Sequence, residues 1–234
     1  MKILVVSLLI LLTFNCSAQK TINIDVKRQL DTILKTDQGI REFLDTEVKP
    51  ARKDTLALLL NYPRAVLDKS AWRMMGKIDS LNINKVEQII AKYGYPGKTI
   101  VGEPENTAVF YVIQHSPKLI PKYYPLIEKA GKSGELPFKY VAMMLDRKLS
   151  GEGKEQVYGT QVFMQTIKNP QTGKKEPFEY VVPIKDPKNV NKRRRKAGFD
   201  STVEENALRL GMVYKVYTLE EIKAIISGKV KEAM

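Results

Sequence analysis

The spacing of apolar residues along this chain changes once, at Gly151-Glu152-Gly153, and that change constrains the fold more than any other feature. From Ile24 to Leu149 the apolar side chains recur every three to four residues, the period of an amphipathic helix. Beyond the glycines, Thr160–Ile167 and Phe178–Ile184 alternate with a period of two, as strands do. The tip between them, Asn169-Pro170-Gln171-Thr172-Gly173, is rich in turn residues and predicts a hairpin. Pro183 cannot donate to a ladder and belongs on an edge or at a strand end. The pattern predicts a mainly α fold, a multi-helix domain with one small C-terminal β-hairpin as its α+β element.

Individual helices are punctuated by glycine and proline. Residues 24–47 read as a helix that Gly39 bends or splits, and the charges around Pro50 as a turn. A second helix, Thr55–Tyr62, stops before Pro63, because the residue preceding a proline avoids helical backbone. Ala65–Leu81 and Asn82–Tyr93 follow as two further helices, the latter ended by Gly94-Tyr95-Pro96-Gly97. Helices are also expected over Pro104–His115, Lys118–Lys129 and Leu136–Leu149. The last is apolar on all sides at Val141–Leu145, the mark of a central apolar helix around which the others pack. Short helices over Asn189–Ala197, Val203–Leu210 and Leu219–Ile226 complete the chain.

Met1-Lys2, an uncharged apolar run from Ile3 to Phe14 and then small residues have the layout of a signal peptide. The run is too short for a transmembrane helix, which needs about 20 apolar residues. Cleavage after Ala18 is the reading the small residues favour, giving an exported protein, periplasmic or extracellular, with residues 19–234 as one domain. Cys16, the only cysteine, stands where a lipoprotein would carry its lipid, and lipid anchoring is the competing reading. On either reading the mature domain has no thiol for a disulfide or for catalysis. The leader carries one lysine and no acid, so the net charge of +13 falls to +12. Such a balance suits an anionic envelope component, with no nucleic acid expected as partner of an exported chain.

Chemistry that needs an imidazole must use His115, the only histidine, at the end of its helix on a face shared with Ala108, Tyr111 and Val112. A histidine there can serve as a base near neutral pH or simply sit in the core near the helix carbonyls. Asp146 closes the central helix, where an acid opposes the helix dipole at a cost of ~0.3–1 kcal/mol. Arg147 beside it points about 100° away around the helix. The pair is either a structural ion-pairing element or a carboxylate and guanidinium at a pocket mouth. Tyr158-Gly159-Thr160-Gln161 brings a phenol, a hydroxyl and an amide to the entry of the first strand, and Gly159 permits positive φ there. Asp37 and Arg41, at i and i+4, read as a solvated helix pair. The basic run Lys192–Lys196 either grips phosphates or anionic lipid at a membrane surface or is a solvated helix. One histidine and no mature cysteine cannot build a zinc set, and no phosphate-binding glycine loop, dinucleotide fingerprint, nucleophile elbow or EF-hand spacing occurs. No cofactor and no metal is expected.

Together these segments resemble an uncharacterised bacterial family of domains of unknown function. The resemblance rests on Gln114-His115, Asp146-Arg147 and Tyr158-Gly159-Thr160-Gln161. Asp37-Gln38 with Arg41, Tyr93-Gly94-Tyr95-Pro96, Val101-Gly102, Asp186–Val190, Arg193-Arg194 and Gly198 extend it, so that it spans about Asp37 to Leu208. Tyr95 stands where the family usually has tryptophan. The resemblance implies that His115, Asp146, Arg147, Tyr158 and Gln161 belong to one shared feature; it implies no activity.

Three functions follow as expectations. In the first, a polar pocket made by Gln114, Arg147, Tyr158, Thr160 and Gln161 binds a small anionic or amide-bearing envelope ligand. In the second, His115 is the base of an envelope hydrolase or lyase and Asp146 orients it or acts as the acid. In the third, the polar set is a buried network that fixes the hairpin onto the helices.

Overall fold

The computed structural model describes residues 21–169 and 172–228; the expected leader with Cys16, part of the hairpin tip and the last residues lie outside them. Ten α-helices and one two-stranded antiparallel sheet are found among the described residues. No helix there is long and apolar enough to cross a membrane.

Helix α1 (Ile24–Leu44) begins at Asn23, whose side chain accepts the Val26 N–H at 3.1 Å. It runs unbroken through Gly39, where the missing side chain lets Leu59 and Leu60 of α2 (Pro50–Leu60) pack closely. Pro50, expected in a turn, opens α2 instead, because a first-turn proline loses no helical hydrogen bond. The two helices expected over 65–93 form one, α3 (Arg64–Tyr93), kinked at Ser70. No glycine or proline separates Leu81 from Asn82, and the Asn82 amide reaches across to Thr36 Oγ1 at 3.3 Å. After the short α4 (Lys98–Val101) come α5 (Ala108–Gln114), α6 (Ile120–Lys132) and α7 (Phe138–Gly151).

One apolar core gathers Val26, Leu30 and Ile33 of α1, the end of α3, α5, α6 and the start of α7. Helix α7 contributes Val141 and Met144, and α5 is enclosed further still, buried from Ala108 to Ile113 except at Tyr111. A second cluster joins the end of α1 to α2 and the first half of α3. The hairpin pairs β1 (Val162–Lys168) with β2 (Lys175–Val181), Val162 opposite Val181 and Lys168 opposite Lys175. Its second strand ends earlier than the alternation suggests because Val182–Ile184 turn to meet Gln156, which donates its N–H to Pro183 O at 2.9 Å. Pro183 therefore falls just past the strand end. Helices α8 (Val190–Ala197), α9 (Val203–Arg209) and α10 (Leu219–Ile226) cover this unit through two small clusters of their own. The last two open on capping boxes, Thr202 with Glu205 and Thr218 with Glu221.

Candidate functional site

The segment Gln156–Gln161 links α7 to β1, and charged side chains from two directions hold its backbone. Asp146, fully buried in the third turn of α7, turns its carboxylate onto the N–H groups. Its Oδ1 accepts from Val157 N at 2.8 Å and Tyr158 N at 3.0 Å. Its Oδ2 accepts from Thr160 N at 3.0 Å and from the Thr160 hydroxyl at 2.9 Å. Burial pushes this carboxyl above the ordinary range, and the hydrogen bonds pull against it. The carbonyls of the same segment are met by α8: Arg193 Nε donates to Val157 O at 3.0 Å and Arg194 Nη1 to Tyr158 O at 2.9 Å. Arg194 is buried, donates twice more to Ser201 and lies over the Phe199 ring.

These contacts place several expected site residues. Asp146 is opposite the loop, not His115, and its oxygens are committed to five hydrogen-bond contacts. Thr160 is part of the same clamp. Tyr158 gives its backbone to the clamp and packs its half-buried ring 6.2 Å from Phe199. The basic run divides: Arg193 and Arg194 hold the loop, and only Lys192, Arg195 and Lys196 are exposed. Gly159 takes φ +70°, and a side chain there would strike Val203 and Ile184. Gln156 passed unnoticed in the sequence, yet it is fully buried and ties the hairpin base. Its amide donates to Gln161 O and Val182 O, and its Oε1 accepts from Gln161 N. Nothing in the neighbouring sequence marks it.

His115 caps the end of α5 and turns Nε2 inward, buried, without a hydrogen bond. The carboxylate it faces is Asp37, with Nε2 and Oδ2 3.7 Å apart, beyond hydrogen-bond length. Asp37 is not the solvated helix residue expected: it is 1 % exposed. It continues the inward stripe Val26, Leu30, Ile33, Ile40, a series in which a carboxylate stands out once the helix is phased. Gln38 donates to its Oδ2 at 2.6 Å, and Arg41 bridges it to Asp79 of α3, whose two oxygens accept from Nη2. Burial pushes Asp37 up to about 6 against the pull of Arg41 and Gln38. Burial and the charges of Arg41 and Arg147 hold His115 down at about 4. At neutral pH the pair is therefore a carboxylate beside an uncharged imidazole. Gln114, next to His115, is buried, and its amide makes no hydrogen bond within the described protein.

The remaining members meet at a cleft of about 270 Å³ where α6 begins, α7 ends and β1 begins. Arg147, Ser150 and Gln161 supply its polar groups, and Ile120, Pro121 and Phe163 its apolar walls. Arg147 is half-buried and makes no hydrogen bond or ion pair with any described residue; burial alone lowers its proton affinity. The hydroxyl of Ser150 is buried and without a partner among the described residues. Gln161 donates to Thr160 Oγ1 at 3.0 Å, and its side-chain carbonyl oxygen accepts nothing from the described residues. Lys148, also on the wall, is already paired with Glu152 at 2.6 Å. Pro117, two residues beyond His115, reaches the same cleft. Among the described residues no group of three or more histidines, cysteines and carboxylates is placed to hold a metal.

The resembled feature thus resolves into a loop clamp, a histidine–carboxylate pair and a cleft, adjoining along α7 and the end of α5. Neither the curated proteins nor the solved structures contain a significant match to the chain. The model of a family of unknown function, DUF6624, matches residues 25–219, from the first turn of α1 to the start of α10, and the chain belongs to that family.

Proposed function

We propose that this is an exported binding protein whose cleft at Arg147, Ser150 and Gln161 takes a small anionic or amide-bearing ligand. One observation carries the reading: the Arg147 guanidinium is half-buried with no acid among the described residues to neutralise it. A charge kept from water is expensive unless paired, and structural cations in protein interiors are paired or hydrogen-bonded, as Arg194 is here through all three of its nitrogens. Arg147 keeps all five of its N–H donors for something the described chain does not supply. Export follows from the leader-like first 18 residues, with a lipid on Cys16 as the alternative tether. The exposed Lys192, Arg195 and Lys196 add weak attraction to an anionic membrane surface. Calorimetric titration of the purified protein with small anions and amides tests the site. Binding that weakens at least tenfold in Arg147→Gln supports it, and binding indifferent to that change overturns it.

A second reading, hydrolysis of the bound ligand, has its own observation in the His115–Asp37 pair, His115 standing two residues before the cleft-lining Pro117. Asp37 lies 3.7 Å from the buried Nε2 of the uncharged imidazole, and Nδ1 is the nitrogen left to take a proton from water. Asp146 is committed to the loop and Asp37 is ionised at neutral pH, so the proton that His115 takes from water is the one it returns to the leaving group. Turnover of a bound ester or amide, abolished in His115→Gln with binding retained, would decide for it; a ligand returned chemically unchanged decides for binding alone.

A further inference from the structure

We infer that the cleft selects an amphiphilic monocarboxylate, a single carboxylate on a compact apolar body, an inference that rests on the binding reading above. The polar half of the site is one guanidinium with a hydroxyl and an amide beside it. A planar fork of N–H donors matches a carboxylate in bidentate fashion and supplies one unit of charge. The surroundings oppose a second negative charge. Arg147 and Ser150 lie in the last turns of α7, at the negative end of the helix dipole. Glu152 follows at the helix cap and also lines the cleft, and the further cation on its wall, Lys148, is already bound to it. A phosphate dianion would meet Arg147 as its free cation and two sources of repulsion. The C-terminal end of α7, which supplies Arg147, Ser150 and Gly151, has the wrong sign for a phosphate site, and the N-terminal end of α6 offers it little, since the Ile120 N–H is spent on Pro117 O and Pro121 has none.

The other half of the site excludes sugars. Ile120, Pro121, Pro117 and Phe163 present apolar surface, and Phe163 stands 42 % exposed at the start of β1. A saccharide would lose hydrogen bonds with water against these walls, and each unsatisfied hydroxyl costs about 1–3 kcal/mol. An alkyl or aryl group gains there instead, about 25 cal/mol per Å² covered. The volume, about 270 Å³, lies at the small end of ligand sites and admits a short chain or a single ring.

The test is calorimetric titration of the purified protein at pH 7.5 and low salt with hexanoate, hexanol and inorganic phosphate. It is repeated on Arg147→Gln and Phe163→Ser, whose circular dichroism must match the parent. Hexanoate is expected to bind at least tenfold more tightly than hexanol or phosphate, and to weaken at least tenfold in Arg147→Gln and severalfold in Phe163→Ser. Phosphate binding as well as hexanoate, with the same dependence on Arg147, would overturn the monocarboxylate inference and leave the anion-binding reading standing. Hexanol binding as tightly as hexanoate would also overturn it, by making the site apolar only. Absence of any Arg147-dependent binding by either anion would overturn both.

Discussion

Replacing Asp146 by asparagine changes one atom and should cost the protein much of its stability. With the amide oxygen in the place of Oδ1, the bonds from Val157 N and Tyr158 N survive, although each drops from a charged to a neutral acceptor, a loss of ~1 kcal/mol apiece. The NH₂ group then replaces Oδ2 and faces Thr160 N, now 3.0 Å from a second donor. That N–H is left unsatisfied, at ~1–3 kcal/mol. The Thr160 hydroxyl can reverse and accept, so it loses little. Relief of a buried charge offsets part of the total, leaving a net loss of ~2–4 kcal/mol. For a domain of this size each kcal/mol lowers the melting temperature by roughly 2–4 °C, so a fall of about 5–15 °C is expected. Thermal denaturation followed by circular dichroism at pH 7.5 measures it directly, with urea midpoints as a second reading. A variant as stable as the parent, or more so, would refute the assignment of Asp146 to the fold, since residues held for activity are the ones whose replacement is tolerated or stabilising.

The remaining predictions use the same measurements. Arg194→Met should also destabilise, and the double variant with Asp146→Asn should lose at least ~1 kcal/mol less than the two single losses together, because both side chains hold one loop; additive losses would separate them. Gly159→Ala should cost over ~2 kcal/mol, since it needs φ +70° and its methyl would meet Val203 and Ile184; a melting temperature within a degree of the parent would contradict this. Arg147→Met should raise stability by ~1 kcal/mol, seen as a higher urea midpoint, because an unpaired half-buried charge is removed; a loss would reveal a partner for it in the folded chain. His115 binds its proton at about 4 when folded and at about 6.5 when unfolded, so the unfolded chain is protonated first as pH falls. Relative to His115→Gln, the parent should therefore gain up to ~3 kcal/mol as pH rises from about 4 to 6.5, and parallel stability curves would sink the idea. Asp37 acts with the opposite sign: its folded value of about 6 exceeds the ordinary 3.8, so it withdraws stability over that window as pH rises.

Much of the architecture is legible in the chain because periodicity reports on local geometry. The switch from 3.6 to 2 at Gly151–Gly153 places the helices and the hairpin, and α10 begins and ends where its apolar spacing does. The break expected at Leu81-Asn82 is absent because no glycine or proline interrupts the helix there and the Asn82 amide is spent across the helix interface on Thr36. The candidate site is less legible, since its parts come from segments far apart. An acid in the last turns of α7 is visibly out of place by the dipole argument, but nothing nearby says that the donors repaying it are 11 to 14 residues on. Arg194 cannot be told from Arg195 within Lys192–Lys196, although one is buried and the other exposed. Asp37 was readable in principle, as the one charge on an otherwise apolar stripe. The cleft was not, because Ile120, Arg147 and Phe163 become neighbours only when α6, α7 and β1 converge.

The apolar clusters of the helical body share no residue with those of the hairpin and its three covering helices. Apolar surfaces tolerate sliding, whereas the hydrogen bonds at Val157–Thr160 have fixed directions, so this polar seam sets the angle at which the two parts meet. It also makes the hairpin part a natural unit of sub-global opening, able to swing away while the helical body stays folded. The cleft straddles that seam, with Arg147 and Ile120 on one side and Gln161 and Phe163 on the other. An occupant of the proposed site is therefore expected to work as a latch: at ten times its Kd it would raise the free energy of opening by ~1.4 kcal/mol. Amide exchange in β1 and β2 is expected to slow about tenfold in response, with α1 and α3 exchanging as before.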